Sequence, residues 1–137
     1  VEIVRDWINN MLATIEPRRV VTGMAVGFDT YLAREALRQQ IPLLAAIPYE
    51  GQEDQWPDGA RTEYRKILKQ AETVHIVEKG GYASWKYQKR NEWMVNNCDL
   101  LLAAWSGKPG GTANCVRYAH QVERRVELLP GLKPEAI

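Results

Sequence analysis

Apolar residues along this chain follow two different spacings. Ile3, Val4, Trp7, Ile8, Met11, Leu12 and Ile15 recur every three or four positions, which predicts an amphipathic helix over residues 2–15. Short apolar runs follow at 19–25, 42–48, 73–78, 99–105 and 125–129, each bounded by glycine, proline or polar residues. Runs of that length and composition predict strands buried on both faces. Between them the helical spacing returns, at 29–40, 58–71, 86–97 and 112–124. The alternation predicts an α/β fold: a three-layer parallel sheet with helices on both faces and right-handed crossovers. With no repeat, low-complexity segment or linker, residues 1–137 read as a single domain. The pattern opens on a helix, where such folds usually open on a strand. Either this is a helix-first variant or the chain lacks an N-terminal strand.

In an open parallel sheet, ligands bind outside the carboxyl ends of the strands. The loops on that edge are 22–29, 48–58, 79–86 and 106–112; all four contain glycine, and two contain tryptophan. The connections on the opposite edge are plain polar turns. Chemistry therefore gathers on one edge.

In the first loop, Gly23, Met24, Ala25, Gly27 and Asp29 lead from a strand into a helix. Glycines there allow close backbone approach, and a helix start offers free N–H groups to an anion. The spacing is not G-x-G-x-x-G, and turn glycines explain it about as well. Asp29 is either the helix N-cap or an acceptor for ribose hydroxyls. In the fourth loop, Gly110 and Gly111 precede Thr112, itself a candidate N-cap. Two such loops on one edge can converge on a phosphate-bearing ligand. No Gly-Lys-Ser/Thr follows, so this is not a Walker A loop.

Tyr87, Asn91, Met94 and Cys98 form an inward stripe on the fourth predicted helix. An unpartnered buried polar group costs about 1–3 kcal/mol, so Asn91 needs either loop backbone or ligand as partner. Lys86, Arg90, Trp93 and Asn97 form the neighbouring stripe. There Arg90 holds a phosphate, or Lys86 and Arg90 are a solvated face. Trp56 and Trp105 are read as packing, while Trp85 stands open between packing and stacking on a base. Leu100 to Ala104, Val116 and Trp7 are read as core, and His75 and His120 as structural. Ser84 and Ser106 have no His–carboxylate relay, which excludes a serine hydrolase.

Charge narrows the classes further. With 18 basic and 17 acidic residues the net charge is +1, which argues against nucleic acid as partner. Cys98 and Cys115 form no C-x-x-C pair, and only two histidines accompany them. Neither a metal site nor a disulfide scaffold is expected, and no cofactor is implied. No apolar run reaches membrane-span length and no signal peptide is visible, so a cytoplasmic setting without membrane contact is expected. The aromatic content leaves room for a homodimer.

The segments "VVTGMAVGFDTYLAREAL", "LLAAIPYEGQEDQWP" and "GGYASWKYQKRNEWMVNNCDLLLAAWSGKPGGTANCVRYA" resemble the YpsA-like branch of the SLOG superfamily. The LOG phosphoribohydrolases and the DNA-processing protein DprA/Smf belong to the same superfamily. The resemblance runs from Val20 to Ala119 and implies a Rossmann-like fold with a site for nucleotides or nucleotide-derived ligands. By matched position it implies Gly23, Met24, Ala25, Gly27 and Asp29 in the first motif. In the later motifs it implies Arg90, Asn91, Gly110, Gly111, Thr112 and Asn114. Relatives in this branch usually open with a strand ending in a Thr-Gly-His/Tyr-like loop, which is absent here. LOG enzymes carry P-G-G-x-G-T-x-x-E, whose glutamate takes part in cleaving the N-glycosidic bond. Here Pro109-Gly110-Gly111 runs straight into Thr112, and Cys115 stands three residues later.

The reading that follows is a binding module for a nucleotide-type small molecule, acting as a sensor or regulatory protein and not as an enzyme. Gly23–Gly27 and Gly110–Thr112 supply backbone N–H groups, Arg90 supplies charge, and Asn91 and Asn114 orient loops or ligand. The alternative is a nucleoside-monophosphate N-glycosidase of LOG type using Asp29 or Glu50 as substitute acid, Glu50 being the better placed. Single-stranded DNA binding as in DprA is a weaker third reading, opposed by the near-neutral charge.

Overall fold

Every predicted element is present in the computed structural model, which describes residues 2–130. In chain order they are α1 (Glu2–Ile15), β1 (Val20–Thr22), α2 (Phe28–Arg38), β2 (Leu43–Ile47), α3 (Asp58–Gln70), β3 (Thr73–Ile76), α4 (Trp85–Asn96), β4 (Leu100–Ala103), α5 (Gly111–Gln121) and β5 (Arg125–Leu128). The strands are shorter than the apolar runs that predict them. β1 stops at Thr22 because Met24 turns into the left-handed region, with φ of 60°.

All strand pairs are parallel. Val20 to Thr22 pair with Leu43 to Ala45, and Leu44 to Ile47 pair with Thr73 to Ile76. Leu100 to Ala103 pair with Arg125 to Leu128. The ladder is divided, however: β1-β2-β3 form one set and β4-β5 another, with no strand pair joining β1 to β4 among the described residues.

Helices cover both faces. α1, α2 and α3 pack side by side, and α4 packs on α5. Ile8, Leu12, Leu32, Ala33, Tyr64 and Ile67 of the first group share a core with Leu43, Ala45 and Ile47. The alternate residues Leu44 and Ala46 are equally buried but lie outside that core, on the face where α4 meets β2. A second core joins Val95, Cys115 and Ala119 to Leu101 and Val126. Right-handed crossovers explain the division. The chain moves one way across the sheet through α1, α2 and α3, then reverses after β3 and crosses on the opposite face through α4.

Burial on both faces holds for β2 alone. Thr73, Val74 and Ile76 of β3 are exposed, because β3 is an outer strand. Leu100, Leu101 and Leu102 are only half-buried, against the expectation of full core, because β4 pairs with β5 on one edge and with no strand on the other among the described residues. Trp7 is half-buried as well, tilted on Phe28 at 6.3 Å between ring centroids. No helix among the described residues is long and apolar enough to cross a membrane.

The contrast between strands is measurable. Leu43→Ala, at a residue 1% exposed, should cost about 2–5 kcal/mol in urea denaturation. Val74→Thr on the outer strand should stay within about 0.5 kcal/mol of the parent. Equal losses would contradict the assignment of β2 as the central buried strand.

Candidate functional site

The loop after β1 is held by its own side chains. Thr22 Oγ1 accepts the Met24 N–H at 3.3 Å and donates to the Asp29 carbonyl at 3.2 Å. The Asp29 carboxylate accepts the Ala25 N–H at 3.1 Å, and Thr30 Oγ1 donates to the Ala25 carbonyl at 3.1 Å. This corrects the capping alternative for Asp29. The N-cap of α2 is Gly27, with φ of 101° and no side chain to offer, while Asp29 sits in the first turn and reaches back into the loop. The start of α5 is built alike. Its N-cap is Gly110, with φ of 146° and no side-chain cap, so Thr112 lies inside the helix and is not its cap. Neither cap offers a side chain to the first-turn N–H groups; at α2 the Thr30 N–H donates to the Gly27 carbonyl at 3.0 Å, and at α5 the Asn114 N–H donates to the Gly110 carbonyl at 3.0 Å.

Between these loops stands α4. Arg90 is 5% exposed, which removes the solvated-face alternative. Its Nη1 donates to the Gly23 carbonyl at 2.6 Å and its Nε donates to Asn91 Oδ1 at 2.9 Å. Asn91 in turn directs its amide to the Gly111 carbonyl at 3.5 Å. Gly23 is glycine for this reason: a Cβ there would lie 2.6 Å from Arg90 Nη1. Lys86 is buried too, donating from Nζ to the Lys79 and Gly81 carbonyls at 2.6 and 2.7 Å, so it ties down the third loop.

A cavity of about 360 Å³ opens at the carboxyl ends of β1 and β4. Ala25, Asp29, Arg90, Asn91, Gly111 and Thr112 all line it, together with Cys115. The other expected residues lie elsewhere. Met24 is 1% exposed in the core, and Gly23 lies under Arg90. Gly27, Gly110 and Asn114 are outside the lining, and Asn114 Oδ1 accepts a bond from Arg117. Glu50 is exposed in the second loop, away from the cavity. Trp85 is 57% exposed at the start of α4, with Lys86 and Lys89 Nζ 5.7 and 5.6 Å from its ring. Trp56 packs edge-on against Tyr64 at 5.1 Å.

Two buried residues of this edge escaped the sequence reading. Gln52 donates to the Gly23 carbonyl and to the Tyr64 hydroxyl, both at 3.3 Å. The signal available was an amide side chain within a glycine-bearing loop on the ligand edge. Burial pushes the Tyr64 hydroxyl up to about 12 and the Cys115 thiol up to about 11, so both stay protonated at neutral pH. Asp29 also titrates above the usual carboxylate range. Burial raises it, against the opposing pull of the Arg90 charge and the Ala25 N–H. No group of three or more His, Cys, Asp or Glu among the described residues is placed to hold a metal ion.

The family model YpsA, described as the YspA SLOG family, matches residues 1–127. The chain is 26% identical over 129 residues to the uncharacterized SPbeta prophage-derived protein YoqJ of Bacillus subtilis (strain 168), covering 82% of this chain and 75% of YoqJ. It is 24% identical over 80 residues to UPF0398 protein OB1025 of Oceanobacillus iheyensis, covering 56% of this chain and 44% of that protein. Among solved structures, DNA processing protein A (DprA) from Streptococcus pneumoniae superposes with a TM-score of 0.74 at 19% identity. That likeness covers 97% of this chain but 47% of DprA, and it shows the fold alone.

Two measurements test this construction. Arg90→Met keeps the aliphatic stem and deletes the donors to Gly23 and Asn91; it should cost about 1.5–3 kcal/mol in chemical denaturation. A loss below about 0.5 kcal/mol, the size of an ordinary surface change, would contradict the clamp. For Asp29, a raised folded pKa means that the folded chain keeps a proton the unfolded chain has lost. Stability should therefore fall as pH rises from the ordinary carboxyl value through the folded one. Asn at this position still accepts the Ala25 N–H but cannot ionise. Asp29→Asn should melt above the parent at neutral pH, with the gap closing as pH falls toward about 4. A parent that melts higher at neutral pH would contradict the raised pKa.

Proposed function

We propose that this chain, which belongs to the YspA SLOG family, is a binding module for a nucleotide or nucleotide-derived ligand held at the carboxyl edge of its sheet. The observation that carries the reading is the cavity between β1 and β4, onto which two glycine-capped helix starts open. It lies where the chain reverses direction across the sheet, the usual place for a ligand crevice in open α/β folds. Its 360 Å³ falls within the range of about 300–1,000 Å³ typical of small-molecule sites.

The chemistry suits a phosphate ester. The uncapped amides of Gly111, Thr112 and Ala113 form an anion site with the α5 dipole behind them. The buried Arg90 charge adds positive potential without needing to leave Gly23. Asp29 lines the same cavity and is the acceptor this reading gives to ribose hydroxyls. A sensor or regulatory role follows from a site with these binding elements and no evident relay for chemistry.

The alternative N-glycosidase reading now has one candidate acid. Asp29 is the carboxyl that lines the cavity, and its raised pKa is a property of general acids. Glu50, exposed outside the cavity, does not fit that role.

Calorimetric titration with AMP, GMP, CMP and UMP tests the proposal. At least one should bind saturably, and Gly111→Val should abolish binding. Nothing lies within 4 Å of a Cβ added at Gly111, so the variant should keep its stability within about 0.5 kcal/mol. No binding by any of the four, or equal binding by the variant, would overturn the reading. Incubation of the same nucleotides should release no base above background. Base release that disappears in Asp29→Asn would replace the binding module with the glycosidase.

A further inference from the structure

Three tyrosines from separate stretches of the chain meet beside the ligand cavity. Tyr87, half-buried on α4, lines the cavity with Arg90 and Asn91. Tyr49, buried in the loop after β2, meets the Tyr87 ring edge-on at 5.7 Å, and the two hydroxyls share a hydrogen bond of 2.8 Å. Tyr82, in the loop before α4, stands 6.1 Å from the Tyr49 ring and 6.4 Å from the Tyr87 ring. It is nonetheless 72% exposed. The geometry points to Tyr82 as the surface on which the base of the bound nucleotide stacks, with Tyr87 as the wall leading to it. This assignment rests on the nucleotide reading and adds the base end of the site.

A chain of contacts gives the ligand its direction. The Asn91 amide reaches the Gly111 carbonyl at the start of α5, the end assigned to phosphate. Arg90 Nε donates to Asn91 Oδ1, and the Arg90 guanidinium carbon stands 5.9 Å from the centre of the Tyr87 ring. Tyr82 stands beside Tyr87. A ligand anchored at α5 and running past Arg90 therefore meets flat rings at its far end. A nucleobase is the part of a nucleotide that such rings bind, face to face, in exposed positions.

The platform is ordered before anything binds. Buried Lys86 donates to the carbonyls of Lys79 and Gly81, on either side of Gly80, whose φ of 83° makes the turn between them. The same ammonium lies 5.8 Å from the centre of the Tyr49 ring. One cation thus ties the residues ahead of Tyr82 to a ring on which Tyr82 leans. A surface fixed in advance loses little freedom on binding.

Trp85, the other exposed ring of this loop, is placed differently. Its partners are the ammonium groups of Lys86 and Lys89, at 5.7 and 5.6 Å, and not the ring of Tyr87 that lines the cavity. The stacking role left open for Trp85 therefore falls to Tyr82. Stacking tolerates different bases, because each has a π-face, and it grows with the area of the ring. Both purine monophosphates should bind, and a pyrimidine monophosphate more weakly.

Calorimetric titration of AMP, GMP, CMP and ribose 5-phosphate into the parent, Tyr82→Ala, Tyr82→Trp and Trp85→Ala tests the assignment. The parent should bind ribose 5-phosphate, which has no base, at least about fivefold more weakly than AMP. Tyr82→Ala should weaken AMP by about fivefold or more, leave ribose 5-phosphate as in the parent, and melt at the parent's temperature. Tyr82→Trp should keep the parent's affinity for AMP, and Trp85→Ala should change neither ligand. Unchanged AMP binding in Tyr82→Ala, or an equal loss of AMP and ribose 5-phosphate, would overturn the assignment and leave the binding module standing. A loss confined to Trp85→Ala, or binding confined to CMP, would do the same. No binding of any of the nucleotides by the parent would remove the assignment and the binding module together.

Discussion

A single guanidinium joins the two halves of this sheet at the edge where the loops gather. β1 and β4 share no ladder, so the loops that follow them are not held in register by backbone pairing. Arg90 supplies that link through the Gly23 carbonyl on one side and Asn91 on the other, and Asn91 passes it on to Gly111. A charge this deeply buried persists only when its donors are matched. Here the match requires that residue 23 have no side chain, since a Cβ would occupy the place of the guanidinium. Gln52 then completes the Gly23 carbonyl and links it to Tyr64 on the α1–α3 side. The position of both glycine loops is thus set by a polar relay running from α3 to α5.

The site itself is a consequence of chain reversal. Because α1, α2 and α3 occupy one face and α4 and α5 the other, the loops after β1 and β4 part company above the sheet and leave a crevice. Both helices that start beside it are capped by glycine, so no side chain fills their first-turn amides. Asp29 adds a second effect. A carboxyl whose burial favours the protonated form opposes an incoming anion less than an ordinary carboxylate would.

Much of this was legible in the sequence because it rests on period and punctuation. The alternation of apolar runs with helical spacing located all ten elements, and glycines before helices marked the two loops that line the cavity. Arg90 and Lys86 were harder. Their spacing fits a solvated stripe equally well, and only tertiary packing decides that carbonyls from two loops come within reach of them. Asp29 and Thr112 fell at plausible cap positions, yet the glycine two residues earlier took that role through a positive φ that a side chain rarely adopts. The half-burial of Leu100 to Leu102 had no local signal, because it depends on which strand stands beside β4. Exposure of β3 has the same cause: an outer position is a property of the sheet order and not of the run "TVHI".

The central claim is that the starts of α2 and α5 serve one ligand. A nitrogen-15 NMR titration with the nucleoside monophosphates reports on it residue by residue. The account predicts that the amides of Asp29, Gly111, Thr112 and Ala113 shift together along one saturation curve with a single Kd. Shifts confined to Tyr82 and Trp85, or separate curves for the two helix starts, would contradict it.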